Sequence, residues 1–240
     1  MKKHLYRKLR YGFEVISHIF GYGESVKHCP CCSYTGIFEA YGHPPRYGSL
    51  CPSCGSLERH RLLMLYNKTE NLFFGKDIFH FAPEPFLSHI ISQKAKRYLT
   101  ADYAANRADL TLNIEKIEQP DEGWDIILCC HVLEHVNDQM ALAELNRILR
   151  KNGRLLIMVP VIEGWDKTYE NSAIVTIKDK QLHFGQFDHV RYYGRDFRNR
   201  LKDAGFNFNE YTAFGADCAE YGLLRGEKIF ICKKEKIPHA

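Results

Sequence analysis

From Asp77 to its C-terminus the chain alternates short apolar runs with segments of helical periodicity, and that alternation leaves few architectures open. Ile78-Phe79-His80-Phe81 reads as a strand, residues 86–94 as a helix, and Arg97 to Ala101 and Ala108 to Leu112 as two further strands. Asp125-Ile126-Ile127-Leu128-Cys129-Cys130 is uninterrupted by polar residues after its first position, as a strand buried on both faces would be. Gln139 to Arg150 carries Leu142, Leu145, Ile148 and Leu149 on one side, which predicts an amphipathic helix; Lys151-Asn152-Gly153 supplies a C-cap signal. Leu155 to Val159 is the next strand, stopped by Pro160, and Arg195 to Ala204 is a helix ending at Gly205. Phe206 to Phe214 and Lys228 to Lys233 close the chain as strands with no helix between them, so an antiparallel edge pair is expected. The whole predicts an α/β fold, a doubly wound and mostly parallel sheet with helices on both faces.

A second constraint lies upstream. Residues 27–56 hold five of the nine cysteines, in Cys29-Pro30-Cys31-Cys32 and Cys51-Pro52-Ser53-Cys54, with 18 residues between Cys32 and Cys51. Two Cys-x-x-Cys turns at this spacing predict a zinc ribbon, since Zn²⁺ takes four thiolates tetrahedrally. Cys29, Cys32, Cys51 and Cys54 are the expected ligands; Cys31 is an alternative to Cys29. Four protein ligands leave no open position, which makes such an ion structural. Beyond the ribbon, Leu57 to Tyr66 turns helical with Ser56 available as its N-cap. Leu57-Glu58-Arg59-His60-Arg61 reads either as a basic surface for an anionic partner or as the solvated start of that helix.

The expected domains are a basic amphipathic segment over 1–26, the ribbon over 27–56 and one α/β domain over 57–240, with an insert at 161–194. In the first of these, Leu5, Leu9, Phe13, Ile16 and Phe20 recur at roughly helical spacing among Lys and Arg. Two readings stand: a helix packed on the body of the protein, or peripheral contact of residues 1–20 with an anionic membrane surface. No stretch approaches the roughly 20 apolar residues of a membrane span. The start lacks a secretory apolar core, and nine cysteines, an odd number, fit better as metal ligands and buried thiols than as disulfides, so a cytoplasmic protein is expected. A net charge of +4 over 240 residues is too small to argue for nucleic acid by itself.

A doubly wound sheet binds ligands beyond the carboxyl ends of its strands. The residues that follow the predicted strands are Ala82-Pro83-Glu84-Pro85, Asp102-Tyr103, Asn113-Ile114 and His131. Asp102 stands 20 residues beyond Ala82, a spacing that suits a carboxylate accepting from the two hydroxyls of a ribose. The first turn is not glycine-rich, which argues against a pyrophosphate-bearing dinucleotide.

The run from Asp125 to Pro160 makes a more specific statement. Asp125-Ile126-Ile127-Leu128, His131-Val132-Leu133-Glu134-His135-Val136, Ala143-Glu144, Arg147-Ile148-Leu149, Asn152-Gly153 and Val159-Pro160 together resemble the central part of class I S-adenosylmethionine-dependent methyltransferases of the type 11-like group. The resemblance spans roughly residues 77–210, and the zinc-ribbon front resembles a bacterial subgroup of these enzymes. It implies a Rossmann-like methyltransferase sheet. It implies that Phe81, Ala82, Pro83 and Glu84 lie at the methionine part of S-adenosylmethionine, Asp102 and Tyr103 at the ribose, Asn113 and Ile114 at the adenine, and His131 near the sulfonium. The chain departs from the usual acidic-x-Gly-x-Gly turn, having His80-Phe81-Ala82-Pro83-Glu84 instead.

His131-x-x-Glu134-His135 also matches an inverted zinc-protease signature, which needs both histidines on one helix. The apolar strand runs up to His131, so the helical spacing does not apply and the protease reading is set aside. For methyl transfer to a hydroxyl, His131 is a candidate general base or a shaper of the pocket. In the insert, His189 is an alternative base, and Arg191 with Tyr192 are candidates to hold an acceptor, or else to pack the loop. The leading function is methyl transfer to a small-molecule or glycan-type, sugar-containing acceptor. Alternatives are an RNA methyltransferase gripping nucleic acid through the ribbon, and a non-catalytic binding protein.

Overall fold

The computed structural model describes residues 25–42 and 44–235. The amphipathic segment expected over residues 1–26 lies outside them up to residue 24, as does any membrane contact through residues 1–20. Among the described residues no helix is long and apolar enough to cross a membrane.

Four short strands open the described chain: β1 (Lys27–His28), β2 (Thr35–Gly36), β3 (Glu39–Tyr41) and β4 (Arg46–Leu50). Helix α1 (Glu58–Glu70) follows, then β5 (Asp77–Phe81), α2 (Pro85–Ser92), β6 (Arg97–Asp102), β7 (Leu110–Thr111) and β8 (Trp124–Cys130). A single 3-10 turn (Leu133–His135) leads to α3 (Asp138–Ile148) and β9 (Leu149–Met158). The insert carries β10 (Tyr169–Glu170), α4 (Ile177–Phe184) and β11 (Arg191–Tyr192). The chain ends with α5 (Phe197–Asp203), β12 (Phe206–Thr212), α6 (Gly215–Tyr221) and β13 (Lys228–Lys234). These elements fall into two compact units, the described part of Met1–Leu65 with Ala213–Gly226, and Tyr66–Thr212 with the chain from Glu227 on.

The larger unit is built on one seven-stranded sheet of order β12-β13-β9-β8-β5-β6-β7. Neighbours from β9 to β7 pair in parallel, while β13 runs antiparallel to both β9 and β12. The expected doubly wound, mostly parallel Rossmann-like sheet is therefore present. The antiparallel pair is present too, with the last strand inserted inside the edge. Chain order reverses between β5 and β8, the neighbours from which successive strands step outward in opposite directions, and a ligand crevice opens at such a point. The strands are apolar because both faces are covered: every residue of β5 is buried, and Phe79 stacks on the buried Trp124 with ring centroids 4.9 Å apart. Helix α3 lays Ala141, Leu142, Leu145 and Ile148 onto this core.

Two expectations need correction. The helix expected to run to Arg150 stops at Ile148, and Lys151-Asn152-Gly153 lies inside β9 rather than at a cap. The backbone N–H groups of Glu122 and Gly123 donate to the carbonyls of Arg147 and Ile148 at 3.0 and 2.9 Å, so the helix end is satisfied without a left-handed cap. Gly153 is there for close approach: a Cβ on it would meet the Asp125 and Arg150 carbonyl oxygens at 3.0 Å. Second, helix α6 separates β12 from β13, where none was expected.

In the smaller unit the run after the ribbon does start a helix, at Glu58, but Arg61 shows that it is neither a basic surface nor a solvated helix start. This arginine is fully buried and donates to the carbonyls of Ser49, Ser56, Tyr221 and Gly222 at 2.6–3.0 Å, with its guanidinium over the Phe38 ring. A planar cation with five donors is the one side chain that can gather this many carbonyls. Ser56 is not the N-cap either. Its hydroxyl lies 3.3 Å from the sulfurs of both Cys29 and Cys54, and the Leu57 N–H donates instead to His60 Nδ1 at 3.1 Å.

Candidate active-site cleft and metal centre

The sulfurs of Cys29, Cys32, Cys51 and Cys54 converge within 4.8 Å of one another, with Cys29 3.7 Å from Cys54 and Cys32 3.8 Å from Cys51. Two matching turns present them: Ser33 N donates to Cys29 O at 2.9 Å, and Gly55 N to Cys51 O at 2.9 Å. A tetrahedron of thiolates around zinc, with bonds of about 2.3 Å, has sulfur–sulfur edges of about 3.8 Å. The residues present fit that ion. Cys31 stands outside the cluster: it hydrogen-bonds to Cys29, which takes the Cys29 thiol down to about 3, while Cys31 itself is pushed up.

The carboxyl ends of β5, β6, β7 and β8 open onto one cleft of about 580 Å³. Phe81, Ala82, Asp102, Tyr103, Asn113, Ile114 and His131 line it, joined by Ala101, Leu112, Val132 and Val136. Its volume lies in the usual range for small-molecule sites, and a few polar groups stand among mainly apolar walls. At its two central corners the backbone is left-handed on residues with side chains, φ 50° at Ala82 and 55° at His131. Both turns are pinned, Ala82 N–H donating to Ala101 O at 2.8 Å and His131 N–H to Met158 O at 2.8 Å. Asp102 Oδ1 accepts from Ala104 N–H at 2.7 Å, which orients the carboxylate at the end of β6. The Asn113–Ile114 wall is held from below by the residues of the 143–149 run. Glu144 accepts from Ile117 N–H at 2.7 Å, and Arg147 donates to Ile117 O and Gln119 O at 2.7 and 2.8 Å.

His131 is one-third exposed and lies between two carboxylates, Glu134 Oε1 at 3.3 Å from Nδ1 and Glu227 Oε1 at 3.7 Å from Nε2. Burial pushes the Glu134 carboxyl up, but the hydrogen bond and charge of His131 outweigh it and hold that group below its ordinary value. His131 closes β8 and His135 sits in the 3-10 turn, so the two histidines do not share a helix, as the protease signature would require.

Other expected site residues are placed elsewhere. Pro83 lines a separate hollow beside α2, and Glu84 lies 3.7 Å from the buried His80. His189 is buried, edge-on to His135 with centroids 4.6 Å apart, and burial lowers its pKa. Arg191 is nine-tenths buried, donating from Nη1 to Leu133 O and Val136 O at 2.8 and 2.6 Å and from Nε to Glu170 at 2.8 Å. Those partners turn it inward, to hold the 133–136 turn. Tyr192 packs edge-on to Trp165. The cleft walls also include Ala104, Arg107, Glu115, His135 and Asp188. Of these, His135 carries a signal in the sequence through the His-x-x-Glu-His motif, and Asp188 lies in the insert's densest polar and aromatic run, residues 187–192; Ala104, Arg107 and Glu115 belong to loops without a pattern.

A family profile described as a methyltransferase domain matches residues 77–211, more than half of the chain. An uncharacterized protein of Methanocaldococcus jannaschii is 34% identical over 76 residues, covering 25% of this chain and 34% of that relative. The chain thus spans about a third of the length of the curated relative it matches. Among solved structures, the Burkholderia thailandensis 1,6-didemethyltoxoflavin-N1-methyltransferase, bound to S-adenosylhomocysteine, aligns with TM-score 0.51 and 13% identity over 73% of this chain and 77% of that one. The [4+2]-cyclase SpnF aligns with TM-score 0.52 and 13% identity, covering 83% and 87%. The YcgJ protein of Bacillus subtilis aligns with TM-score 0.50 and 12% identity, covering 74% and 100%. At such identities these likenesses concern the fold; with the profile match and a cleft at the strand ends, the chain belongs to the methyltransferase-domain family.

Proposed function

We propose that this protein transfers a methyl group from S-adenosylmethionine to a small-molecule or sugar-containing acceptor, and that its four-cysteine site holds a structural zinc ion. The observation that carries the reading is the convergence of Ala82, Asp102, Ile114 and His131, each following a different strand, on one cleft. The cofactor, when bound, supplies a methyl carbon made electrophilic by the sulfonium.

The chain's own residues do the rest. The Asp102 carboxylate accepts from the ribose hydroxyls. Leu112, Ile114 and Val132 offer apolar surface to the base. The left-handed turn at Ala82 brings backbone close to the methionine part. His131, set between two carboxylates, holds or takes a proton from the acceptor. The remaining contribution is to hold acceptor, carbon and sulfur in line.

One solved neighbour of this fold is a cyclase, so transfer itself must be the readout. Incubation with methyl-labelled S-adenosylmethionine and fractionated small-molecule extract is expected to yield labelled product together with S-adenosylhomocysteine. Label transfer that is unchanged in His131→Ala and Asp102→Ala variants would refute this assignment of the cleft.

A further inference from the structure

Beside the cleft lies a group of side chains that the methyl-transfer reading uses only in part, through the contact of Glu134 Oε1 with His131. Glu134, His135 and His189 each bring a ligand-type atom to within 4.8 Å of the other two. Glu134 is 2% exposed and its Oε2 has no hydrogen-bond partner; His189 is 5% exposed and the same holds for its Nδ1. A desolvated carboxylate oxygen and a desolvated ring nitrogen left without partners cost free energy, and folded chains seldom keep both in one place without a reason.

The cluster is also held in place by its backbone. Val190 N–H donates to the Glu134 carbonyl at 3.0 Å, which fixes His189 beside the turn. Arg191 then clamps the carbonyls on both sides of that turn, Leu133 and Val136. Two segments 54 residues apart in sequence are stitched together where their donor atoms meet. Asp188 Oδ2 lies 3.4 Å from His135 Nδ1, and a carboxylate against the imidazole is the usual outer partner of a ligating histidine.

We propose that Glu134, His135 and His189 form a second metal site, separate from the four-cysteine centre, for a divalent transition-metal ion. Two imidazoles and a carboxylate are a donor set for zinc, manganese, cobalt or iron in the divalent state. Metal–ligand bonds of about 2.0–2.2 Å set neighbouring ligand atoms about 3.0–3.6 Å apart, so donor atoms that lie within 4.8 Å of one another reach an ion by small side-chain movements. His135 is about one-quarter exposed and lines the cleft with Asp188, which gives the ion a way in. His131 is not part of the set and His189 lies outside the His-x-x-Glu-His motif, so the arrangement differs from the protease signature. Further positions on the ion go to water or to an oxygen of the acceptor; only this last clause rests on the methyl-transfer reading.

The test uses the full chain with its ribbon loaded with zinc and no S-adenosylmethionine present. Mn²⁺, Co²⁺ and Zn²⁺ are titrated separately by calorimetry, and bound metal is counted by mass spectrometry. The expected result is one additional ion per chain for at least one of the three. His135→Ala, at a partly exposed position, and His189→Asn should each weaken that uptake by about tenfold or more while the ribbon keeps its zinc. Failure of all three ions to bind at millimolar concentration, or equal uptake by the well-folded His135→Ala variant, overturns the site. Neither outcome bears on cofactor binding, which is measured without added metal.

Discussion

Ala82 and His131 occupy left-handed backbone, a conformation that costs a residue with a side chain about 1–2 kcal/mol. The missing glycine of the first turn is thus a missing residue type and not a missing geometry, since Ala82 adopts the turn that glycine would take without strain. Ala82→Gly should relieve the strain and raise the melting temperature by a few degrees, roughly 2–4 °C per kcal/mol at this size. Ala82→Val, β-branched and ill-suited to positive φ, should lower it. Thermal unfolding of the two variants showing no difference in order would contradict the strain account. Arg61 belongs to the same scale. Replacing it by leucine strands four buried carbonyls and should cost about 3–5 kcal/mol, with lysine restoring only part, as read from denaturant midpoints. Nothing in the order Glu58-Arg59-His60-Arg61 distinguishes a buried arginine from a solvated one, because two of its four acceptors, Tyr221 O and Gly222 O, come from positions 160 and 161 residues away.

At the scale of elements, the ends of β5, β8 and β9 were legible because each of these strands finishes in a nearly unbroken apolar run that a polar or small residue or a proline closes. The end of α3 was not. Lys151-Asn152-Gly153 has the composition of a cap, yet the carbonyls it would serve are met by Glu122 and Gly123 from another connection. Arg191 was misleading for a related reason: a cation in a long insert reads as a substrate contact, whereas its acceptors lie in the turn after β8. The edge of the sheet offers a pH prediction. Glu163 and Glu210 are bridged by Arg198 of α5 and Lys228 of β13, and hydrogen bonding from Arg198 is the main reason the Glu163 carboxyl falls to about 2. A depressed carboxyl stabilises the fold above its unfolded value of about 4.3, and that stabilisation is lost as pH falls towards 2. The group is two-fifths exposed, so the effect is small and screened by salt. Wild-type stability should decline more steeply than that of Glu163→Gln between about pH 4.5 and 2, by chemical denaturation at low salt. Parallel curves would show that the pair carries no net energy. In the four-cysteine site, Cys32→Ser removes one of the four converging thiols and, if they hold zinc as proposed, should abolish stoichiometric zinc, measured by mass spectrometry; full retention would place the ion elsewhere.

For the whole molecule, the sheet order sends chain segments outward from β5 and β8 in opposite directions, and the cleft lies at that reversal with Asp102 and His131 on the same side. On the proposed reading Asp102 carries most of the specificity for the cofactor, because each hydrogen bond from a ribose hydroxyl to its carboxylate would be worth about 1.5–3 kcal/mol. The most direct measurement is titration calorimetry of S-adenosylmethionine into the wild-type chain and into Asp102→Ala. One molecule should bind per chain with micromolar affinity, and the variant should stay folded while binding at least about a hundredfold more weakly. Absence of binding to the wild type, or equal affinity in the two proteins, would contradict the assignment of this cleft to the cofactor.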